Sequence, residues 1–152
     1  MEIVNRTAFN VEDRLHDVVV DWPTAGLLVE IKYCPKGTSR KWPGSGTYYR
    51  RTDKRPQGRL IRLRINRINR YPVRMFFKMS SYSTRRNARG EEIVYQKLKA
   101  AEVRTPEDLL VAIFLHEFSH YLDHIAGRNG RYKQTKADQF ALARLKGLGI
   151  KL

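Results

Sequence analysis

Cysteine is almost missing from this 152-residue chain: Cys34 stands alone, so no disulfide can form within it, which suits a reducing, cytoplasmic setting. Acid is scarce too, with 15 Asp and Glu against 30 Lys and Arg and a formal charge of +15. No apolar run is long enough to span a bilayer, because Leu109–Leu115 stops at His116. The opening Met-Glu-Ile-Val-Asn-Arg has neither the basic start nor the apolar stretch of a secretion signal. Repeats and low-complexity tracts are absent. A single domain over 1–152, with no membrane partner, is the expectation.

What is present is unevenly placed. Residues 36–104 hold 20 basic and only 4 acidic groups, whereas residues 1–35 hold 3 and 6. Such a basic middle segment fits a polyanion, DNA or RNA. Arg50, Arg51, Arg55, Arg62, Arg64, Arg67 and Arg70 are the candidate nucleic-acid contacts, interleaved with Tyr48, Tyr49 and Tyr71. Arginine would meet phosphate, and exposed aromatics would stack on bases. A solvated sheet face, or an acidic partner protein, would use the same residues.

The alternation of Ile61, Leu63 and Ile65 with Arg62 and Arg64 predicts a half-buried strand. Leu27–Tyr33, Thr47–Arg51 and Val73–Met79 read as further strands, and 91–101 as strand or helix. Residues 35–46 read as a turn-rich loop and 80–90 as an exposed loop. The clearest helix starts at Thr105, an N-cap followed by Pro106 and two acids, and stops at Gly127. A second helix is expected over roughly 135–148. The fold class implied is α+β.

The first of these helices carries His116-Glu-Phe-Ser-His120. Histidines four apart lie on one helix face, so both imidazoles can reach one ion, and zinc suits that ligand type. Glu117 beside them can take a proton from water and return it to a leaving amine. For a third ligand, His124 lies about 12 Å along the axis from His116, too far to share an ion in an unbroken helix. Asp138 and Gln134, one turn apart on the second helix, are the better sources. A carboxylate balances a dication, which favours Asp138, with Gln134 and His124 as the alternatives.

His-Glu-Phe-Ser-His-Tyr-Leu-Asp at 116–123 with Ala-Asp-Gln-Phe-Ala at 137–141 resembles the zincin-type metallopeptidases, and most of all the anthrax lethal factor-like catalytic domain. The resemblance covers about 30 residues. It implies a minimal zincin-like domain, a small and mostly antiparallel sheet on an active-site helix with a second helix closing the site. It puts the third zinc ligand on Asp138, one methylene shorter than the family's glutamate, and an oxyanion-steadying tyrosine near Tyr132. The stretch is also similar to small metallopeptidases of phage and mobile elements. A weaker likeness in element order links the chain to SprT-type proteases, and in that pattern Arg59–Asn66 would be the sheet edge receiving a substrate strand.

The expected function is therefore zinc-dependent hydrolysis of peptide bonds in proteins met on or near nucleic acid. The rival readings are a metal-dependent nuclease, and a nucleic-acid-binding protein whose metal site is structural or vestigial.

Overall fold

A computed structural model describes residues 1–37, 42–53, 56, 58–128 and 133–150. Nine elements follow in order: β1 (Glu2–Asn5), α1 (Glu12–Asp17), β2 (Leu27–Tyr33), β3 (Gly44–Tyr49), β4 (Arg59–Ile65), β5 (Val73–Arg86), β6 (Glu92–Val103), α2 (Pro106–Ile125) and α3 (Gln134–Gly147). Among the described residues the fold is α+β, with two small sheets and three helices. No helix among the described residues is long and apolar enough to cross a membrane.

The main sheet runs β1-β2-β4-β3. Its β1–β2 and β2–β4 pairings are parallel, and β3 turns antiparallel against β4. Parallel pairing at the centre follows from burial: Leu27, Val29 and Ile31 of β2 and Ile61, Leu63 and Ile65 of β4 all face the core. The alternate residues Glu30, Arg62 and Arg64 face outward, as the period of two requires. β5 and β6 form a separate antiparallel ribbon.

Arg59–Ile65 lies between β2 and β3, so it is not a sheet edge. The edge beside the long helix is β3, built from Gly-Ser-Gly-Thr-Tyr-Tyr. Two glycines disguise this strand as a loop in the sequence, yet close packing needs both. A Cβ on Gly44 would lie 2.7 Å from Ile113 Cδ1, and one on Gly46 would lie 2.5 Å from Glu117 Cγ. Residues 80–86, expected in a loop, instead continue β5.

The helix α2 forms the centre of the core. Thr105 caps it, its Oγ1 accepting the Asp108 N–H at 3.1 Å, with Pro106 in the first turn. Gly127, at φ +71°, adopts the left-handed conformation that ends it. Leu109, Leu110, Val111, Phe114, Leu115 and Phe118 are fully buried, so the helix is covered on nearly every side. α3 lies against it through Ala137, Ala141 and Leu145. That contact brings the two helices' polar residues together.

Candidate metal centre

One helical turn separates His116 from His120, and their ring centroids are 5.1 Å apart. α3 supplies two side chains to them. The His116 Nε2 is 2.8 Å from Gln134 Oε1, and the same side chain is near enough to His120 to favour its charged form. The His116 Nδ1 is 2.6 Å from Asp138 Oδ1. The second Asp138 oxygen, Oδ2, accepts the backbone N–H of Lys78 at 2.7 Å. Asp138 thus sits on the Nδ1 side of one ring with both oxygens engaged, while the Gln134 amide meets both rings.

Burial disfavours the charged form of His116, but Asp138, Glu117 and Gln134 outweigh it and raise its pKa above the ordinary histidine value. His120 moves the other way: burial and then the charge of His116 lower it. Its neighbour Asp123, three residues on, is 2% exposed and binds Lys136 Nζ at 2.5 Å, tying α2 to α3. Arg128 approaches the same carboxylate at 3.6 Å.

Glu117 is buried beside His116 and beneath β3. Burial pushes its carboxyl above the ordinary range, although His116 and the Tyr48 backbone N–H, which donates to it, pull the other way. That N–H fixes the orientation of the strand. Since Tyr48 N–H leaves β3 on the side away from β4, Gly46, two residues earlier, presents its N–H and C=O on that same side. The Pro43 carbonyl, of opposite parity, accepts the Asn66 N–H from the end of β4 at 3.0 Å, as the alternation demands. Among the described residues no strand pairs with β3 on its outer side.

His124 belongs to a different contact. Its Nδ1 is 2.5 Å from the Tyr48 hydroxyl, and its pKa is lowered by burial and by Arg50 and Arg59. Burial pushes the Tyr48 phenol up to about 12, so it stays protonated at neutral pH and can donate to this ring. Tyr132 and Arg55 lie outside the described residues.

The remaining arginines do not share one arrangement. Arg62 and Arg64 stand on the outer face of β4, opposite the face that packs on α2. Arg62 Nε is 3.3 Å from Glu30 Oε1, and its guanidinium lies 5.4 Å from the Tyr49 ring centre. Arg64 reaches Thr47 Oγ1 and Tyr49. Arg67 stacks 4.0 Å over Tyr33. Arg50, Arg51 and Arg70 are exposed, and Arg70 lines a cavity of about 390 Å³ with Arg74 and Phe76.

Sequence reasoning missed Gly46, Tyr48 and Lys78. For Gly46 the available signal was the Gly-x-Gly spacing, which puts both glycines on one face of a strand. Lys78 and Tyr48 act on the two carboxylates through backbone N–H groups, which no side-chain pattern reveals.

The chain matches no protein-family model, no curated protein and no solved structure.

Proposed function

We propose that the chain is a zinc-dependent peptidase, in which His116, His120 and Gln134 hold the ion and Glu117 moves the proton. The observation that carries this reading is the convergence of two imidazoles, an amide oxygen and a buried carboxylate beneath the outer side of a sheet-edge strand. Among the described residues no three His, Cys, Asp or Glu side chains form such a group. The third group at the two rings is the Gln134 amide, whose oxygen accepts from His116 Nε2; it is a neutral oxygen outside the Cys, His, Asp and Glu set that zinc ordinarily takes, and it brings no compensating charge.

Zinc, when bound, supplies Lewis acidity toward a carbonyl and toward water at neutral pH. The remaining roles fall to side chains and backbone. Asp138 holds the His116 Nδ1, the carboxylate–imidazole contact that fixes a ring's tautomer and turns its other nitrogen toward a ligand. Lys78 N–H holds Asp138 in turn. Glu117, raised by burial, accepts a proton from water and delivers it to the leaving amine. A substrate segment adds to β3 as an extended strand, pairing with the outward N–H and C=O of Gly46. That placement sets its backbone beside Glu117.

The test combines metal content with hydrolysis. Purified protein is expected to take up one zinc per chain, and His120→Ala to take up none. Glu117→Gln should keep the zinc while losing hydrolysis of a labelled unfolded protein such as casein. A zinc-loaded wild type that cleaves no protein or peptide would sink the peptidase reading. A chain that refuses zinc altogether would leave the alternative of a nucleic-acid-binding protein with a vestigial site, which the neutral third donor favours.

A further inference from the structure

The ribbon β5–β6 is longer than the fold requires. Its root is part of the core, where Phe77, Ala101 and Val103 are buried and α3 packs on β5. Beyond a register shift between Lys78 and Tyr82, the paired segment Tyr82–Arg86 with Glu92–Gln96 runs on with nearly all its residues exposed. At about 3.3 Å per residue, this distal part projects roughly 16 Å. Its tip is ordered by side-chain bonds: Asn87 Oδ1 accepts the N–H groups of Arg89 and Glu91, both at 2.9 Å, and Gly90 takes φ +77°. The tip is thus a formed turn.

The two faces of this distal ribbon differ. Residues opposite one another in the ladder share a face, so Ser83, Arg85, Ile93 and Tyr95 lie together, joined by Lys97 through the alternation along β6. The Arg85 guanidinium lies 5.6 Å from the Tyr95 ring centre. This face carries no acid, and the turn at the tip holds both Arg89 and Glu91, the latter accepting from Asn87 Nδ2 at 2.7 Å. The opposite face pairs Arg86 with Glu92 and exposes Tyr82 and Val94, at 62% and 64%. The ribbon is held to α3 at its base, where Gln96 Nε2 donates to Thr135 Oγ1 at 2.7 Å, and beyond that point its exposed aromatic and β-branched residues cost solubility unless something meets them. The basic face and the chain's +15 charge select a polyanion as that partner.

We infer that the β5–β6 ribbon is an arm that binds duplex DNA, with Arg85, Arg89 and Lys97 on phosphates and its apolar side chains at base edges. A two-stranded ribbon fits the major groove of B-form DNA, about 12 Å wide, whereas the major groove of A-form RNA is too narrow to admit it. The arm differs from the arginines that sequence pattern alone nominates. Arg62, Arg64 and Arg67 are engaged by Glu30, Thr47, Tyr49 and Tyr33; Arg85, against Tyr95 of its own ribbon, and Arg89 and Lys97 are exposed, as are Arg50, Arg51 and Arg70, the charge-matched comparison for the arm. The inference does not depend on the metal centre, and its test reads DNA binding alone.

Fluorescence anisotropy of the full chain with a labelled 20-base-pair duplex, taken between about 50 and 200 mM salt, tests it. The variant Arg85→Ala/Arg89→Ala/Lys97→Ala is compared with Arg50→Ala/Arg51→Ala/Arg70→Ala, which removes the same charge elsewhere. Unchanged circular dichroism and melting temperature establish that both are folded. The arm variant should lose at least tenfold in affinity, and its log–log salt slope should fall by about 2 to 3, at roughly 0.9 per phosphate contact. The charge-matched variant should stay within threefold of wild type. Equal losses in both variants would overturn the arm, as would tighter binding of single-stranded DNA or double-stranded RNA than of the duplex. Sedimentation of the free chain covers the remaining occupant. A dimer that Val94→Lys dissolves would assign the exposed face to a second copy instead.

Discussion

Glu117 and Gly46 are a pair at the smallest scale: the carboxylate can lie where it does only because the strand above it lacks a side chain. A methyl group at position 46 would sit 2.5 Å from Glu117 Cγ and 2.8 Å from its Oε1, so Gly46→Ala must move the carboxylate, the strand or both. Overpacking of this kind costs about 1–3 kcal/mol of stability. A displacement of about 1 Å at a proton-transfer group can cost roughly a hundredfold in rate. The expected variant is folded and binds zinc like wild type but has lost at least tenfold in peptide hydrolysis. Full activity in Gly46→Ala would show that Glu117 does not need the position found for it. Gln134 and Asp138 differ by charge as well as by place. If the Gln134 amide is a zinc donor, Gln134→Glu supplies the missing negative charge and should tighten zinc at least tenfold in a competition titration. Asp138→Asn, which weakens only the hold on His116 Nδ1, should loosen zinc by about 10- to 100-fold without abolishing it. Complete loss of zinc in Asp138→Asn, with no gain in Gln134→Glu, would return the third ligand to Asp138. The sequence shows both residues one turn apart on α3. Which of them meets Nε2 depends on how α3 crosses α2, and that is set by packing at Ala137, Ala141 and Leu145.

Among the elements, α2 was legible because several local signals agree over 20 residues: a threonine cap, a proline in the first turn, a continuous apolar run and a terminal glycine. β4 was legible from alternation, and β2 was read as a further strand over Leu27–Tyr33. β1 and α1 were not, being four and six residues long and stabilised by tertiary contacts of Ile3, Val11 and Leu15 rather than by propensity. The distal ribbon was misread because Ser-, Thr- and Arg-rich segments look like loops, and only cross-strand pairing makes them strands. The β2–β4 pairing carries a pH prediction. Glu30 and Arg62 are register partners, and the Glu30 side chain is 18% exposed. Burial alone would raise the Glu30 carboxyl, but Arg62, and Lys32 after it, hold it below the ordinary carboxylate value. A carboxyl lowered in the folded state contributes stability above its unfolded pKa and loses it as pH falls through the folded one. Glu30→Gln should therefore melt below wild type at pH 7, by about 0.5–1 kcal/mol for a partly exposed pair. The two curves should converge as the pH drops below the ordinary carboxylate range. A difference that persisted unchanged into acid would assign the effect to packing instead of charge.

At the scale of the whole molecule, the candidate metal centre is also a joint. α3 meets the rest of the fold along α2 and β5, and its polar side chains reach across to both: Gln134 and Asp138 to the histidines, Asp138 to Lys78 N–H, and Lys136 to Asp123. An ion held by His116, His120 and Gln134 would join α2 to α3 once more, and the two helices cannot part without releasing it. Binding to the native state alone stabilises by about 2.7 kcal/mol when free zinc is a hundred times its dissociation constant. In a domain of this size that corresponds to a rise in melting temperature of about 5–10 °C, at roughly 2–4 °C per kcal/mol. Chelation should reverse the rise, and His120→Ala should show none. The Asp123–Lys136 tie offers an independent control, because it spans the same two helices without being part of the proposed donor set. Asp123→Ala leaves Lys136 without its carboxylate partner, but the Lys136 side chain is 46% exposed and keeps its hydration, so the loss should be about 0.5–1 kcal/mol. Such a variant, if it still folds, should gain from zinc as wild type does, since its donors are intact. If zinc raised the melting temperature of His120→Ala as much as that of wild type, the ion would be binding elsewhere, and the joint between α2 and α3 would be purely a matter of packing and ion pairs.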